Sequence, residues 1–254
     1  MLAALLPAEI FALLLIFVRI GAAVMLMPGV GDPYVTPRAR LLLAIFIAIV
    51  VTPVIAPDLP AMPESPVSLA LLLIGETIIG LFFGTVARLF MAALTTAGMM
   101  VAYMSSLANA LVNDPSAAQQ GSVVGSFLGV VALLVIFTLD LHHLFLSAVV
   151  TSYELFVPGQ ALPVGDFSQM ISKIVGQTFL LSFQLAAPFV AVGVIFYLGV
   201  GLLSRLMPQV QIFFVAMPLQ IGAGLLILLL SLPIMMRWFA RHFEAAILPF
   251  VGSV

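Results

Sequence analysis

Three ionisable residues stand where charge is costly. Arg19, Glu76 and Arg88 fall inside long apolar runs of this 254-residue chain, and an unpaired charge at the centre of a bilayer costs at least about 2.5–3.5 kcal/mol. Each must therefore face protein or water. Glu76 and Arg88 are twelve positions apart, about 120° around a helix and roughly 18 Å along it, so they cannot pair with each other on one helix. Their partners must come from other helices or other chains. Two roles stay open for the three charges: a buried ion pair that fixes helix register, or a direct part in transport.

Other chemistry is hard to find. Asp140, His142 and His143 carry metal-ligating groups, but adjacent histidines point about 100° apart on a helix. No H-E-x-x-H is present and the next histidine is His242, so an ordinary helix end with polar caps is expected there, with no metal. There is no G-x-x-x-x-G-K-[ST] and no Ser/His/Asp elbow, so neither nucleotide binding nor hydrolysis is expected. The absence of cysteine excludes disulfides, thiolate metal sites and thiol nucleophiles. No enzymatic activity and no cofactor follow from these residues. The eight Lys/Arg are scattered singly in a chain of net charge −2, which gives neither a nucleic-acid surface nor a polybasic lipid anchor.

One stretch departs from its surroundings. Residues 105–122, SSLANALVNDPSAAQQGS, are rich in small polar side chains and amides, within a chain that is 64% hydrophobic and 7% charged. Asn113-Asp114-Pro115 is a turn signal at its centre.

The elements that must position these groups are apolar helices. A mean hydropathy of +1.32 and repeated apolar runs identify an integral membrane protein with room for about six spans of roughly 20 residues. Six apolar blocks cover about 10–28, 41–56, 67–104, 123–139, 174–203 and 212–236. The third is far longer than a bilayer needs. The segment PVIAPDLPAMPESP (53–66) and the stretch from about Asp140 to Asp166, broken by Pro158-Gly159 and Pro163, read as connections. Only SRLMPQVQ separates the last two blocks, which predicts an antiparallel helical hairpin. The N-terminus lacks a basic region before its apolar run and carries Glu9, so the first span is expected to be retained. With the N-terminus outside, Arg38, Arg40, Arg88 and Arg205 fall on the cytoplasmic side, while Arg237 and Arg241 violate the rule.

Small and amide residues mark packing faces. Gly80/Gly84 and Gly121/Gly125/Gly129 form G-x-x-x-G steps that let helix backbones approach. Gln177, Gln184, Gln209, Gln211 and Gln220 decorate the final hairpin, either as hydrogen-bonding glue between helices or as pore lining.

Several motifs together carry a family resemblance. These are Phe17-Val18-Arg19, the stretch PGVGDPYVTPRARLLLAIFIAIVVTP (28–53), GETIIGLFFG (75–84), AGMM (97–100) and above all GLLSRLMPQVQIFFVAMPLQIGAGL (201–225). In the last, Arg205, Pro208-Gln209, Phe213 and Pro218-Leu219 match at the family's spacing, with Gln211 where the family favours Asn. The chain resembles the FliR family of flagellar biosynthesis proteins, whose relatives also serve virulence-type type III secretion.

The resemblance implies an all-α, membrane-associated fold. Residues 1–165 would be FliP-like and 166–254 would hold a FliQ-like helical hairpin. It implies a subunit of the flagellar protein export gate in the bacterial inner membrane, within the basal body. Its partners would be FliP-like and FliQ-like subunits, other export-apparatus membrane components, exported unfolded proteins and membrane lipid, with no nucleic acid. Overall similarity points to a flagellar rather than a virulence system. The polar stretch would then contribute a channel plug through Asn109, Asn113, Asp114, Pro115, Gln119 and Gln120, the alternative being a plain solvent-facing loop. Gly98 and Gly121 would be hinges, and Met99, Met100 and Met104 a deformable collar. Arg19, Glu76 and Arg88 would serve as buried charges or in assembly. Arg205, Pro208 and Gln209 would form the cytoplasm-facing hairpin tip. Two other functions remain in play: an autonomous small-solute transporter and a scaffold that only nucleates assembly.

Overall fold

A computed structural model describes residues 2–110, 122–160, 162–207 and 212–251. Among them every regular element is helical. The helices are α1 (Leu2–Leu26), α2 (Pro37–Ile55), α3 (Pro66–Met104), the single turn α4 (Leu107–Ala110), α5 (Val123–Thr138), α6 (Leu141–Leu155), α7 (Val164–Leu206) and α8 (Ile212–Ile247). Short 3₁₀ turns follow α2 and α8, at Ala56–Asp58 and Leu248–Phe250.

Five of these helices are long and apolar enough to cross a membrane, or six spans if the bent pair α5 and α6 counts as one. This all-α, membrane-type architecture is the one expected from composition. Two helices exceed the need. The 39 residues of α3 and the 43 of α7 reach about 58 and 64 Å at 1.5 Å per residue, roughly twice a hydrocarbon core of about 30 Å.

The stretch from Asp140 to Asp166 departs from the sequence expectation. It holds a fifteen-residue helix, α6, where a polar connection was expected. Leu141, Phe145, Ala148, Val149, Ser152 and Tyr153 are its buried residues, spaced i, i+4, i+7, i+8, i+11 and i+12 along one face. His142, His143 and Glu154 fall off that face and dilute the hydropathy, so length and polarity hide the periodicity. Likewise α7 begins ten residues before the apolar block, and α8 runs on through Arg237, Arg241 and Glu244 to Ile247.

The chain forms two compact units. The first comprises Met1–Leu89, Ile136–Ile174 and His242–Val254. Its core combines Leu15, Ile16, Ile20 and Val24 of α1 with an aromatic cluster in which Phe82 stacks on Phe167 at 4.6 Å and Phe250 meets Phe83 edge-on at 4.9 Å. Gly80 is required here: a Cβ on it would strike the Arg19 carbonyl oxygen and stand 2.8 Å from the Ala22 Cβ. The second unit comprises Phe90–Val135 and Val175–Arg241, with Leu94, Ala97, Val101, Leu128, Leu181, Leu185 and Phe189 in its core. Gly98 and Gly125 touch, so a Cβ on Gly98 would overlap Gly125. Gly129, by contrast, has nothing within 4 Å of its would-be Cβ, so the expected packing step ends at Gly125.

Candidate functional site

Arg19 is the most buried cation of the first unit. Position 19 lies on the face of α1 that also carries Leu15, Ile16 and Ile20, so the guanidinium is driven inward with the core. Its Nε donates to Glu76 Oε2 at 2.6 Å and its Nη2 to Glu76 Oε1 at 2.9 Å, a two-bond fork. Nη1 donates to Ser152 Oγ at 3.1 Å, and Nη2 also donates to the Phe156 carbonyl at 2.8 Å. The guanidinium lies 3.7 Å from the centre of the Tyr153 ring, a cation–π contact that strengthens where water is excluded. Side-chain exposure is 0% for Arg19 and 2% for Glu76. The cluster thus joins α1, α3 and α6 in a single register. The Tyr153 hydroxyl is buried without a hydrogen-bond partner, alone in this among the described side chains.

Arg88 does different work. Its Nε donates to the Leu26 carbonyl at 3.2 Å, its Nη2 donates to the Gly31 carbonyl at 2.6 Å, and Asp32 stands 3.6 Å away. A cation at these carbonyls complements the C-terminal end of α1. Part-exposed at 42%, Arg88 projects from within α3 at the level of the α1–α2 connection. Asp32 in turn accepts from the Gly29 amide and the Tyr34 hydroxyl, and Arg40 donates to the carbonyls of Asp32 and Val35.

The root of the polar stretch is the most elaborated part of the second unit. Helix α3 ends in a turn at Ser105 and Ser106, and Ser106 is left-handed with φ +56°, a helix stop usually left to glycine or asparagine. The Ser106 hydroxyl donates to Gln220 Oε1 at 2.7 Å, and Gln220 Nε2 donates back to the Met104 carbonyl at 2.6 Å. Ser105, Ser106 and Gln220 are all buried. The arrangement satisfies both ends of a buried amide, which in an apolar setting would otherwise cost about 1–3 kcal/mol per unmade bond. Bare backbone lets the strands of this knot approach: a Cβ on Gly193 would stand 3.1 Å from Met104 Sδ, and one on Gly224 would overlap the Ser105 Cβ. At the far end of the stretch, Ser122 Oγ donates to the Gly98 carbonyl at 2.9 Å.

Of the expected collar and hinge residues, Met99 is exposed, Met100 and Met104 are half-buried, and Gly98 lies inside uninterrupted α3. Asn109 stands in α4. The expected plug residues Asn113, Asp114, Pro115, Gln119 and Gln120, the hinge Gly121 and the hairpin-tip residues Pro208 and Gln209 lie outside the described residues. Arg205 is exposed in the last turn of α7. Helices α7 and α8 do face each other: Phe196, Tyr197 and Val200 line one small cavity with Ala216, Met217 and Gln220. Sequence reasoning grouped Gln220 with four other glutamines and missed that it is the bonded one. Gln177 is exposed, Gln184 half-buried, and Gln209 and Gln211 lie outside the described residues.

Much apolar surface remains uncovered on this unit. Ile195, Leu198 and Leu202 on α7, and Leu225, Leu226, Leu229 and Leu230 on α8, are each more than half exposed. A face of this kind fits lipid or apolar helices of other chains.

The family described as "Bacterial export proteins, family 1" matches residues 10–246. The chain is 40% identical to the flagellar biosynthetic protein FliR of Caulobacter vibrioides over 237 residues, covering 93% of this chain and 94% of that one. It is 31% identical to FliR of Bacillus subtilis over 226 residues, covering 88% and 86%. It is also 28% identical to the Yop proteins translocation protein T of Yersinia pestis over 192 residues, covering 72% and 71%.

Proposed function

The chain belongs to the FliR family of bacterial export proteins, and on that premise we propose that it is a subunit of the flagellar export gate that lines the channel for unfolded proteins and contributes residues 105–122 as its plug. It is a helical membrane component of an export apparatus and works with other components of that apparatus. The finer reading places it in the bacterial inner membrane, in a closed assembly with FliP-like and FliQ-like subunits. Residues 1–165 take the place of one FliP-like unit and 166–254 the place of a FliQ-like hairpin. In this role the chain catalyses no reaction, and energy for export comes from other components.

One observation carries the plug reading. The polar stretch is tied down at both ends, by Ser106 to Gln220 and by Ser122 to the Gly98 carbonyl, while its own sequence is small, amide-rich and interrupted by Pro115. A seal that must open needs fixed ends and a middle that adheres weakly. The uncovered apolar faces of α7 and α8 support the partner reading.

The test has two stages. Native mass spectrometry of the tagged chain, co-expressed with its neighbouring genes and extracted in mild detergent, should find one copy with several copies of two other small helical proteins. Deleting residues 109–118 should then make the assembled gate leak small ions. A lone monomer or homodimer that carries solute in liposomes would overturn the gate reading, and a normal membrane current after the deletion would overturn the plug.

A further inference from the structure

The chain breaks between α5 and α6 at Leu139 and Asp140, and Asp140 takes a left-handed backbone with φ +55°. Side chains rarely adopt that conformation, although Asp tolerates it better than most. The Asp140 carboxylate makes no capping bond to the start of α6. Its Oδ1 instead stands 3.5 Å from His143 Nδ1. One donor atom from each of Asp140, His142 and His143 lies within 4.8 Å of the others. The 100° between consecutive helix positions, which argued against a metal in the sequence, is undone by side-chain rotation: the two imidazole centres are 4.1 Å apart.

The surroundings fit ligation. His142 Nδ1 lies 3.5 Å from the Ile136 carbonyl oxygen. In the tautomer that donates from Nδ1 to this carbonyl, Nε2 keeps the lone pair that binds a metal. A carbonyl behind a ligating imidazole is the usual support for such a ligand. The Phe137 ring, 4.8 Å away, backs the His142 ring on the other side.

We propose that Asp140, His142 and His143 form a binding site for a divalent transition-metal ion of the imidazole-binding class, zinc foremost. Zinc bonds of about 2.0–2.1 Å in a tetrahedral shell leave ligand atoms about 3.4 Å apart, and the Asp140–His143 separation already matches. The remaining closure needs rotation of Asp140 and His143, whose side chains are 74% and 71% exposed, toward the half-buried His142. Three protein donors leave a fourth position for water or for a donor on a neighbouring subunit. A bound ion would pin the break between α5 and α6. This inference is independent of the plug.

The experiment uses the full chain in detergent micelles, purified on a tag without histidine and stripped with chelator, then titrated with Co²⁺ and Zn²⁺. One equivalent of zinc should bind, and cobalt should develop visible d–d absorption. His143→Ala and Asp140→Asn should each weaken zinc affinity by about tenfold or more, with unchanged circular dichroism. His242 stays in every variant and so reports any contribution from outside the site. No saturable binding below about 100 µM, or binding that His143→Ala leaves intact, would overturn the proposal.

Discussion

Arg19 and Glu76, on different helices and 57 positions apart, meet through two parallel hydrogen bonds with both side chains out of water. A pair of this kind is a liability when half of it is lost. Glu76→Gln or Glu76→Ala should destabilise the fold by about 3–5 kcal/mol, because an unpaired guanidinium is left buried, whereas Arg19→Leu with Glu76→Leu together should recover most of that loss. Thermal unfolding in detergent, followed by intrinsic fluorescence, measures both. Equal losses in the single and the double variants would show that the pair contributes net stability rather than register.

The Ser106–Gln220 knot makes a second, separable prediction. Gln220→Leu should cost about 1–3 kcal/mol, since the Met104 carbonyl and the Ser106 hydroxyl both lose a buried partner. Ser106→Ala keeps the left-handed turn but drops the bond, while Ser106→Gly drops the bond and relieves the backbone. Ser106→Gly should therefore be the milder of the two by about 1 kcal/mol. The comparison is read from the unfolding midpoints of the two variants side by side.

Glycines within apolar helices should behave oppositely according to what their faces meet. Gly80→Leu and Gly98→Ala press a new side chain onto backbone and should cost about 1–3 kcal/mol each. Gly129→Ala enters open space and should stabilise α5 by up to about 1 kcal/mol in helix propensity. Helical circular dichroism during a thermal ramp distinguishes the three.

Arg88 holds a loop rather than a core. Arg88→Ala should leave the global midpoint within about 1–2 kcal/mol of the parent, because its bonds are half exposed. It should nonetheless speed tryptic cleavage after Arg38 or Arg40, at the end of the α1–α2 connection it secures. Arg88→Lys should not restore protection, since one ammonium cannot span the Leu26 and Gly31 carbonyls as the guanidinium fork does.

Some of this was readable in the chain and some was not. Long apolar runs gave the helices, because a span must satisfy its backbone internally whatever its neighbours are. The costly charges announced themselves by type, but their partners did not. Glu76 meets Arg19 through tertiary packing, and the Ser152 and Phe156 contacts arrive on and just after α6, whose polar side chains mask its periodicity. Gln220 was visible only as one amide among five, since hydrogen bonding between residues 114 apart leaves no local trace. Asp140, His142 and His143 stood together in the sequence, but the side-chain rotation that brings their donor atoms within 4.8 Å of one another follows from no spacing rule.

The uncovered leucines of α7 and α8 also bear on supply. A chain that leaves Leu226, Leu229 and Leu230 in the open gains stability from whatever covers them, and under the export-gate proposal that cover is neighbouring subunits, so its lifetime follows their abundance. Surplus copies are the natural substrates of membrane quality control, and the steady-state amount of this subunit should follow that of its scarcest companion even when its own gene is overexpressed.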